Sequence, residues 1–367
     1  MSSRNLTANL STIVGDAPHN RRVELVWNKG IAQRCDRRFP DEFPERREYR
    51  PVPLLAGALV TRKTPGNLVC DPLPQAQIRD GELVWVRLSW LKSFVRQVLP
   101  LVNAKFVLVT GDSDNSVPSE LGDEANTILK SNKIIHWFAQ NYDGSSTSQR
   151  ISPIPIGIDF HTLSHRATWG ETQSCPIEQE ELLKSIRDTL PPLANRIPKV
   201  YVDFCWQRSL GIRHYRRYHS LKGTQLWETR RRTARRLRTN DLVFRQDSML
   251  PRNEMWSRRG RYAFVLSPHG MGLDCHRTWE ALALGHVVLV PSSALDPLFQ
   301  GLPVVALQSW KDITPENLSK WLSQYSFAEA SDKRLTTRYW IQKMRSVART
   351  ATLSQHHNGK ASPTEPA

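Results

Sequence analysis

Residues 261–305 read RYAFVLSPHGMGLDCHRTWEALALGHVVLVPSSALDPLFQGLPVV. Tyr262–Leu266 is a short apolar run that fits a buried strand. Residues 267–274 form a loop carrying Gly270 and Gly272. Asp274 is placed to cap a helix that runs through Trp279, Leu282 and Leu284 and stops at Gly285. Residues 286–290 are a second apolar strand. A strand, a glycine loop, a helix and a strand within about 30 residues make a βαβ unit, so the two strands are expected to be parallel. Ligands of such units sit at the carboxyl ends of the strands, where this loop lies.

The charges on that helix sharpen the expectation. His276 and Arg277 fall in its first turn, where a positive side chain opposes the helix dipole by roughly 0.3–1 kcal/mol when charged and exposed. A bound anion reverses that sign, using free backbone N–H groups together with Arg277. Glu280 follows on the same face, and a carboxylate there suits a pair of sugar hydroxyls. The same residues also fit an ordinary surface Arg–Glu pair, and spacing alone does not choose. Ser292 and Ser293 open the loop after the second strand and can offer hydroxyls or N–H groups to phosphate or sugar. GMGLDC has Cys275 where a dinucleotide fingerprint has its third glycine, which argues against NAD. No P-loop pattern is present, which argues against an NTPase. Asp274 and His276 lack a matching set of metal ligands.

SPHGMGLDCHRTWEALALG, followed by PSSALDPLFQGLPVV, resembles the nucleotide-sugar-binding half of exostosin-like GT-B glycosyltransferases. Upstream, FVLVTGDSDNSVP (106–118), IIHWFAQN (134–141) and ISPIPIGID (151–159) resemble the amino-terminal half of the same enzymes. Met271 between the glycines and Pro291 before the serine pair depart from the family's pattern. The resemblance implies an α/β fold of the GT-B type, two Rossmann-like domains facing a cleft. It also implies a UDP-sugar donor in the carboxyl-terminal half, a hydroxyl acceptor opposite (a glycan or a lipid-linked sugar), and inversion by direct displacement. No cofactor or metal is implied, because a helix dipole and basic residues can neutralise the leaving diphosphate. The donor site expected from this reading comprises Ser267, Gly270, Gly272, Asp274, His276, Arg277, Glu280, Ser292 and Ser293. Within it Arg277 binds the diphosphate, Glu280 binds ribose hydroxyls, and the glycine backbone approaches the phosphates.

Three residues are candidates for the base that deprotonates the acceptor. Asp112 and Asp114 follow a confident strand at its carboxyl end, although Asp is also an ordinary turn residue. His161 follows the Gly157-Ile158-Asp159 turn. His136, inside an apolar strand, reads as a core histidine, whereas Asn141 at the end of that strand faces the expected cleft.

A chain of 367 residues is long enough for two domains with separate cores. A hydrophobic share of 39% with 12 Trp indicates a globular protein. No apolar run approaches the roughly 20 residues of a membrane helix, and the amino terminus lacks the apolar region of a signal peptide. Cys35, Cys70, Cys175, Cys205 and Cys275 are scattered, with no CxxC pair, so a reducing, cytoplasmic setting is the simplest fit. The net charge of +16 asks for a partner. Its densest block is 208–238, where LWETRRRTARRLRTN (226–240) reads as a helix with a thin apolar stripe. A solvated helix face is one reading, and peripheral contact with an anionic membrane carrying a lipid-linked acceptor is another. Nucleic acid is disfavoured because no nucleic-acid motif accompanies the charge. The alternative function from another class is a noncatalytic anion-binding protein on a transferase-like scaffold.

Along the chain the expected organisation is a poorly ordered arm over 1–50, with 23–27 as a strand. An acceptor-side domain over 51–195 and a donor domain over 196–330 follow. A last helix is expected over 331–353, which the resemblance to GT-B proteins implies crosses back to the first domain, and 354–367 are expected to form a disordered tail. Strands are also expected at 52–60, 106–109, 134–138, 154–156 and 199–204, and helices at 120–129 and 178–190. Alternation of apolar strands with helices supports parallel sheets covered on both faces.

Overall fold

The computed structural model describes residues 23–39, 78–204, 221–325 and 332–358. The expected strand at 52–60, the start of the arginine block and the end of the tail lie outside the described residues. Two five-stranded sheets organise the rest. The first contains β1 (Arg37–Phe39), β2 (Leu83–Arg87), β3 (Phe106–Gly111), β4 (Ile134–Ala139) and β5 (Ile151–Pro153), all parallel and in chain order. The second contains β6 (Ile197–Val202), β7 (Val243–Arg245), β8 (Tyr262–Leu266), β9 (Val287–Pro291) and β10 (Val304–Leu307), also all parallel. Its order is β10-β9-β8-β6-β7. The βαβ unit read from the sequence is present, with Val265 opposite Val288. Strand order reverses between β6 and β8, the switch point at which a parallel sheet opens a crevice for ligands. The molecule therefore has the GT-B architecture, two Rossmann-like domains facing a cleft.

Among the described residues the α-helices of five residues or more are α1 (Asn28–Arg34), α2 (Asp123–Lys130), α3 (His161–His165), α4 (Pro176–Thr189), α5 (Leu221–Arg236), α6 (Arg252–Arg259), α7 (His276–Ala283), α8 (Pro315–Tyr325) and α9 (Thr337–Asn358). Alternate side chains of each strand go to opposite faces. In the first sheet Val84, Val86, Leu108 and Trp137 pack against the helical turns of 88–101 and against α2. Leu83, Trp85, Val107, Val109 and Phe138 belong to the opposite core, with Trp27, Ile31, Trp340 and Met344. Right-handed crossovers between strands laid down in order put their connections on one face. The other face is covered by α9, which packs on β3, β4 and α1. Arg345 of α9 ties Asp36 with hydrogen bonds of 2.5 and 2.6 Å. In the second sheet α5 and α8 cover Val200, Val202, Phe264 and Leu266. Trp256 of α6 and Trp279 of α7 share the opposite core with Tyr201, Val265 and Val288.

Three expectations are corrected. Residues 23–39 are not a loose arm: Val26 N donates to Leu335 O at 2.8 Å, and β1 is the edge of the first sheet. Val23, Leu25 and Trp27 are buried, which is the apolar area that holds the segment down. The strand expected at 154–156 lies instead at Ile151–Pro153, because Ile156 N is taken by the Asp274 carboxylate at 2.8 Å and leaves the ladder. The last helix continues to Asn358, past the expected start of the tail at 354. At Gly157 the N-terminal segment crosses the link between domains. Its φ is +68°, and a Cβ there would lie 2.2 Å from Val26 O, so only glycine fits.

Candidate functional site

The glycine loop lies against the first domain. Asn141, at the end of β4 with φ +57°, donates from Nδ2 to Ser113 O at 2.8 Å and accepts from Asp274 N at 2.9 Å. A Cβ on Gly272 would come within 2.6 Å of Asn141 Nδ2, so this glycine permits the close approach of the two domains. Gly270 N donates to Gly272 O at 3.0 Å, closing the loop on itself. Asp274 does not cap the helix. Its carboxylate accepts from Ile156 N and Cys275 N, each at 2.8 Å, and from Trp279 Nε1 at 3.0 Å. Burial pushes its pKa up to about 6 against these hydrogen bonds. Cys275 is the N-cap residue of α7 and makes no side-chain cap hydrogen bond. The head of α7 thus keeps N–H groups with which an anion can interact.

Asp203 follows directly after β6, at the switch point. It accepts from Arg277 Nε at 2.8 Å and pairs with Arg259 at 2.9 Å. Burial alone would raise its pKa, and the two guanidinium groups hold it below the usual carboxylate range instead. Arg277 and Arg230 both lie over the Phe204 ring, at 5.6 and 4.9 Å. Arg230 is therefore not on a solvated face: it is buried, whereas Arg232, Arg235, Arg236 and Arg238 are the exposed arginines among the described residues of the block.

Several expected donor-site groups are already engaged. Glu280 is buried, with Oε1 accepting from Arg252 at 2.9 Å and Oε2 from Trp256 Nε1 at 3.3 Å. It holds Arg252 between the rings of Trp169 and Trp256 and presents no open carboxylate for ribose. Ser267 Oγ accepts from Thr278 Oγ1 at 2.9 Å inside the domain. Ser292 Oγ donates to Asp296 at 2.6 Å and Ser293 N to the same carboxylate at 2.9 Å, which makes a local turn.

On the acceptor side, Asp112 has φ +61° and is paired with Lys29 and with Arg87 Nε, the latter at 2.8 Å. Burial would raise its pKa, but Lys29 and Arg87 outweigh it and keep the carboxyl ionised. A carboxylate held by two cations is a weak base. Asp114 is exposed on the same loop, close enough to Cys275 for their charges to interact. His161 Nδ1 lies 3.0 Å from Asp159 Oδ1, off the hydrogen-bond direction. Asp159 itself is fixed by Thr162 N at 2.9 Å and Thr162 Oγ1 at 2.8 Å. Burial opposes its ionisation, and the His161 and His276 rings nevertheless draw its pKa well below the ordinary value. His276 Nδ1 meets Gly157 O at 2.6 Å; a carbonyl only accepts, so that nitrogen carries the proton. Burial lowers the pKa of His276, and the Asp159 carboxylate works against that shift.

The structure thus brings His161, His276, Arg277 and Asp112 to one cleft and sets Glu280, Ser267, Ser292 and Ser293 into internal bonds. Lys29, Arg87, Asp159, Asp203 and Arg230 were not read from the sequence as site residues. Arg87 closes the strand LVWVR and Asp203 follows the strand IPKVYV, so both carried the signal of a polar residue at a strand's carboxyl end. Lys29 carried none.

No protein-family model matches the chain, and no curated protein matches it. Among solved structures it is similar to α,α-trehalose 6-phosphate synthase from Burkholderia multivorans, with 14% identity over 79% of this chain and 75% of that one and a TM-score of 0.34. It is also similar to an α-glucosyltransferase solved with UDP-glucose and DNA containing an abasic site, with 11% identity over 72% and 74% and a TM-score of 0.28. A glycosyltransferase from Rickettsia africae gives 13% identity over 76% and 77% and a TM-score of 0.26. Such scores mark a loose likeness, and the architecture rests on the strand order described above.

Proposed function

We propose that the chain is a glycosyltransferase that binds a UDP-sugar in its second domain and a hydroxyl acceptor, a glycan or lipid-linked sugar, in its first. The observation that carries this reading is the juxtaposition of an anion-binding element and a base. The uncapped head of α7 with Arg277 stands at the switch point of the second sheet. The Asp159–His161 pair stands beside it, with the His161 and His276 rings 5.6 Å apart.

In this reading the leaving diphosphate lies at the head of α7, stabilised by backbone N–H groups, Arg277 and Arg230. Asp203 orients Arg277 by accepting a hydrogen bond from its Nε–H. The acceptor hydroxyl gives its proton to His161 as it attacks the anomeric carbon, and the Asp159 carboxylate steadies the imidazolium that forms. Direct attack from the opposite side inverts that carbon, and no step requires a metal. Of the three base candidates His161 is preferred, since Asp112 is bound by two cations and Asp114 is exposed to solvent. Glu280 is assigned to holding Arg252 and Arg259 rather than to ribose. Cys35, Cys175 and Cys275 are free thiols, which fits a cytoplasmic setting. Among the described residues no helix is long and apolar enough to cross a membrane. The exposed arginines of α5 are the surface that would meet anionic lipid.

Calorimetric titration with UDP tests the donor site. Arg277→Ala removes a charge-assisted contact worth about 1.5–3 kcal/mol, so UDP should bind roughly tenfold to a hundredfold more weakly. His161→Ala should abolish UDP release from a panel of UDP-sugars while UDP affinity stays the same. Unchanged UDP affinity in Arg277→Ala would remove α7 from the donor site and overturn the reading.

A further inference from the structure

His276 has a nitrogen that the transfer reaction does not use. Its Nδ1 proton is committed to Gly157 O at 2.6 Å, so the lone pair sits on Nε2. This is how a metal-binding imidazole is held: the far nitrogen donates to a backbone carbonyl, which fixes both the tautomer and the ring. The Asp159 carboxylate is oriented in the same manner by two bonds from Thr162. His161 completes the group. One donor atom from each of Asp159, His161 and His276 lies within 4.8 Å of the others, the one such trio of His, Cys or carboxylate groups among the described residues.

Two imidazoles and a carboxylate suit zinc and its neighbours, whereas magnesium and calcium prefer sets made of oxygen. Zinc bonds of about 2.0–2.2 Å require donors roughly 3.3 Å apart, so the most distant donors must close by up to about 1.5 Å. His161 can supply that movement, because it begins a five-residue helix and its side chain is 21% exposed. Lys29 and Arg252 lie near Asp159 and oppose a cation, which sets the expected affinity at micromolar rather than tighter.

We infer that Asp159, His161 and His276 bind one divalent cation of the zinc class. An imidazole that gives one nitrogen to the ion carries its proton on the other and cannot accept the acceptor's proton, so the bound ion is an inhibitor of transfer. That second part rests on the glycosyltransferase reading, and the first does not.

Titration of the full chain with Co²⁺, followed by visible absorption, tests the site without activity. A band saturating at micromolar Co²⁺ is expected. Binding should weaken at least tenfold in His161→Ala and in His276→Ala. It should be unchanged in His136→Gln, whose ring lies in β4 against Ser152. Circular dichroism checks the fold of each variant, and His161→Ala, on the rim, is the variant expected to fold if His276→Ala does not. No band at millimolar Co²⁺, or a band that persists unchanged in His161→Ala, overturns the site. Zn²⁺ should suppress UDP release from the active donor, and a chelator should restore it. Co²⁺ binding by these residues without inhibition would keep the site and overturn the inhibition. Absence of any transfer would overturn the function while leaving the spectrum to judge the site.

Discussion

The two sheets have the same number of parallel strands and opposite ways of being wound. The first adds its strands in chain order, and the second reverses after β6. A sheet laid down in one direction leaves one face without crossovers and has no internal crevice. Its bare face is closed from outside, by α9 and by residues 23–34. Its contribution to the cleft comes from loops, those bearing Asp112, Asn141 and Asp159. The reversed sheet carries helices on both faces and opens a crevice at its own switch point, where Asp203 and Arg277 stand. The winding of a sheet thus decides whether its domain needs a distant piece of chain to be complete and whether it can hold an anion by itself.

The largest test of this contrast is on the borrowed cover. Trp340 is 2% exposed and belongs to the core that lines the bare face of the first sheet. Trp340→Ala should cost about 3–5 kcal/mol, seen as a lower urea midpoint for the first domain. UDP should still stabilise the second domain in a thermal shift. Equal loss in both domains would mean that they unfold as one unit.

The seam between the domains gives the next effect, and it depends on pH. Asp274 titrates near 6 in the folded chain against an ordinary value of 3.8. Between those values the folded state holds the extra proton, so stability falls as pH rises through this window. The wild type should lose about 3 kcal/mol relative to Asp274→Asn between pH 4 and pH 7, measured as the difference between their denaturant curves. A difference that does not vary with pH would show that the three hydrogen bonds fully offset burial.

Two arginines, one at the head of α7 and one at the end of β2, sharpen the functional side of the comparison. Arg277→Ala should weaken UDP by about 1.5–3 kcal/mol. Arg87→Ala, at the end of β2, should leave UDP affinity within a factor of two or so while altering acceptor use. Equal effects on UDP would place the donor on both domains.

The smallest effect is expected on the outer face of α5. Arg232→Glu, Arg235→Glu and Arg236→Glu should each change stability by less than about 0.5 kcal/mol, since these side chains are exposed. Sedimentation with anionic vesicles should fall with added salt and with these changes. Binding that ignores both would assign the face to solvent alone. Arg230→Glu, one turn away but buried beside Phe204, should instead weaken UDP.

The strands and the βαβ unit were legible because strands buried on both faces are continuous apolar runs, and YAFVL and VVLVP are such runs. Gly285 marks the helix end by its φ of +76°, a local property. The site was legible in part. Arg277 was legible as the basic residue in the first turn of the helix after the glycine loop, and His161 as the residue just after the Gly157-Ile158-Asp159 turn. For Glu280, spacing from Arg277 allows a ribose contact or a surface pair and does not reach its partners in the fold. Its actual partners, Arg252 and Trp256, lie 28 and 24 residues away in the chain. Asp274 was misread as a cap because Ile156, 118 residues earlier, competes for it. Arg230 was read with its neighbours as one charge block, and helix rotation separates them.

The sequence by itself determined what short-range physics decides: apolar runs that become strands, a glycine loop before an amphipathic helix, and a basic residue at that helix's head. Only the tertiary structure decided which strand lies beside which, and therefore where the switch point falls. It alone paired Asp112 with Lys29 and Arg87, brought Asp159 and His161 to the head of α7, and laid α9 on the first sheet. These outcomes depend on the charge and apolar area of groups far apart in the chain, and their energies exist only once the fold has brought them together.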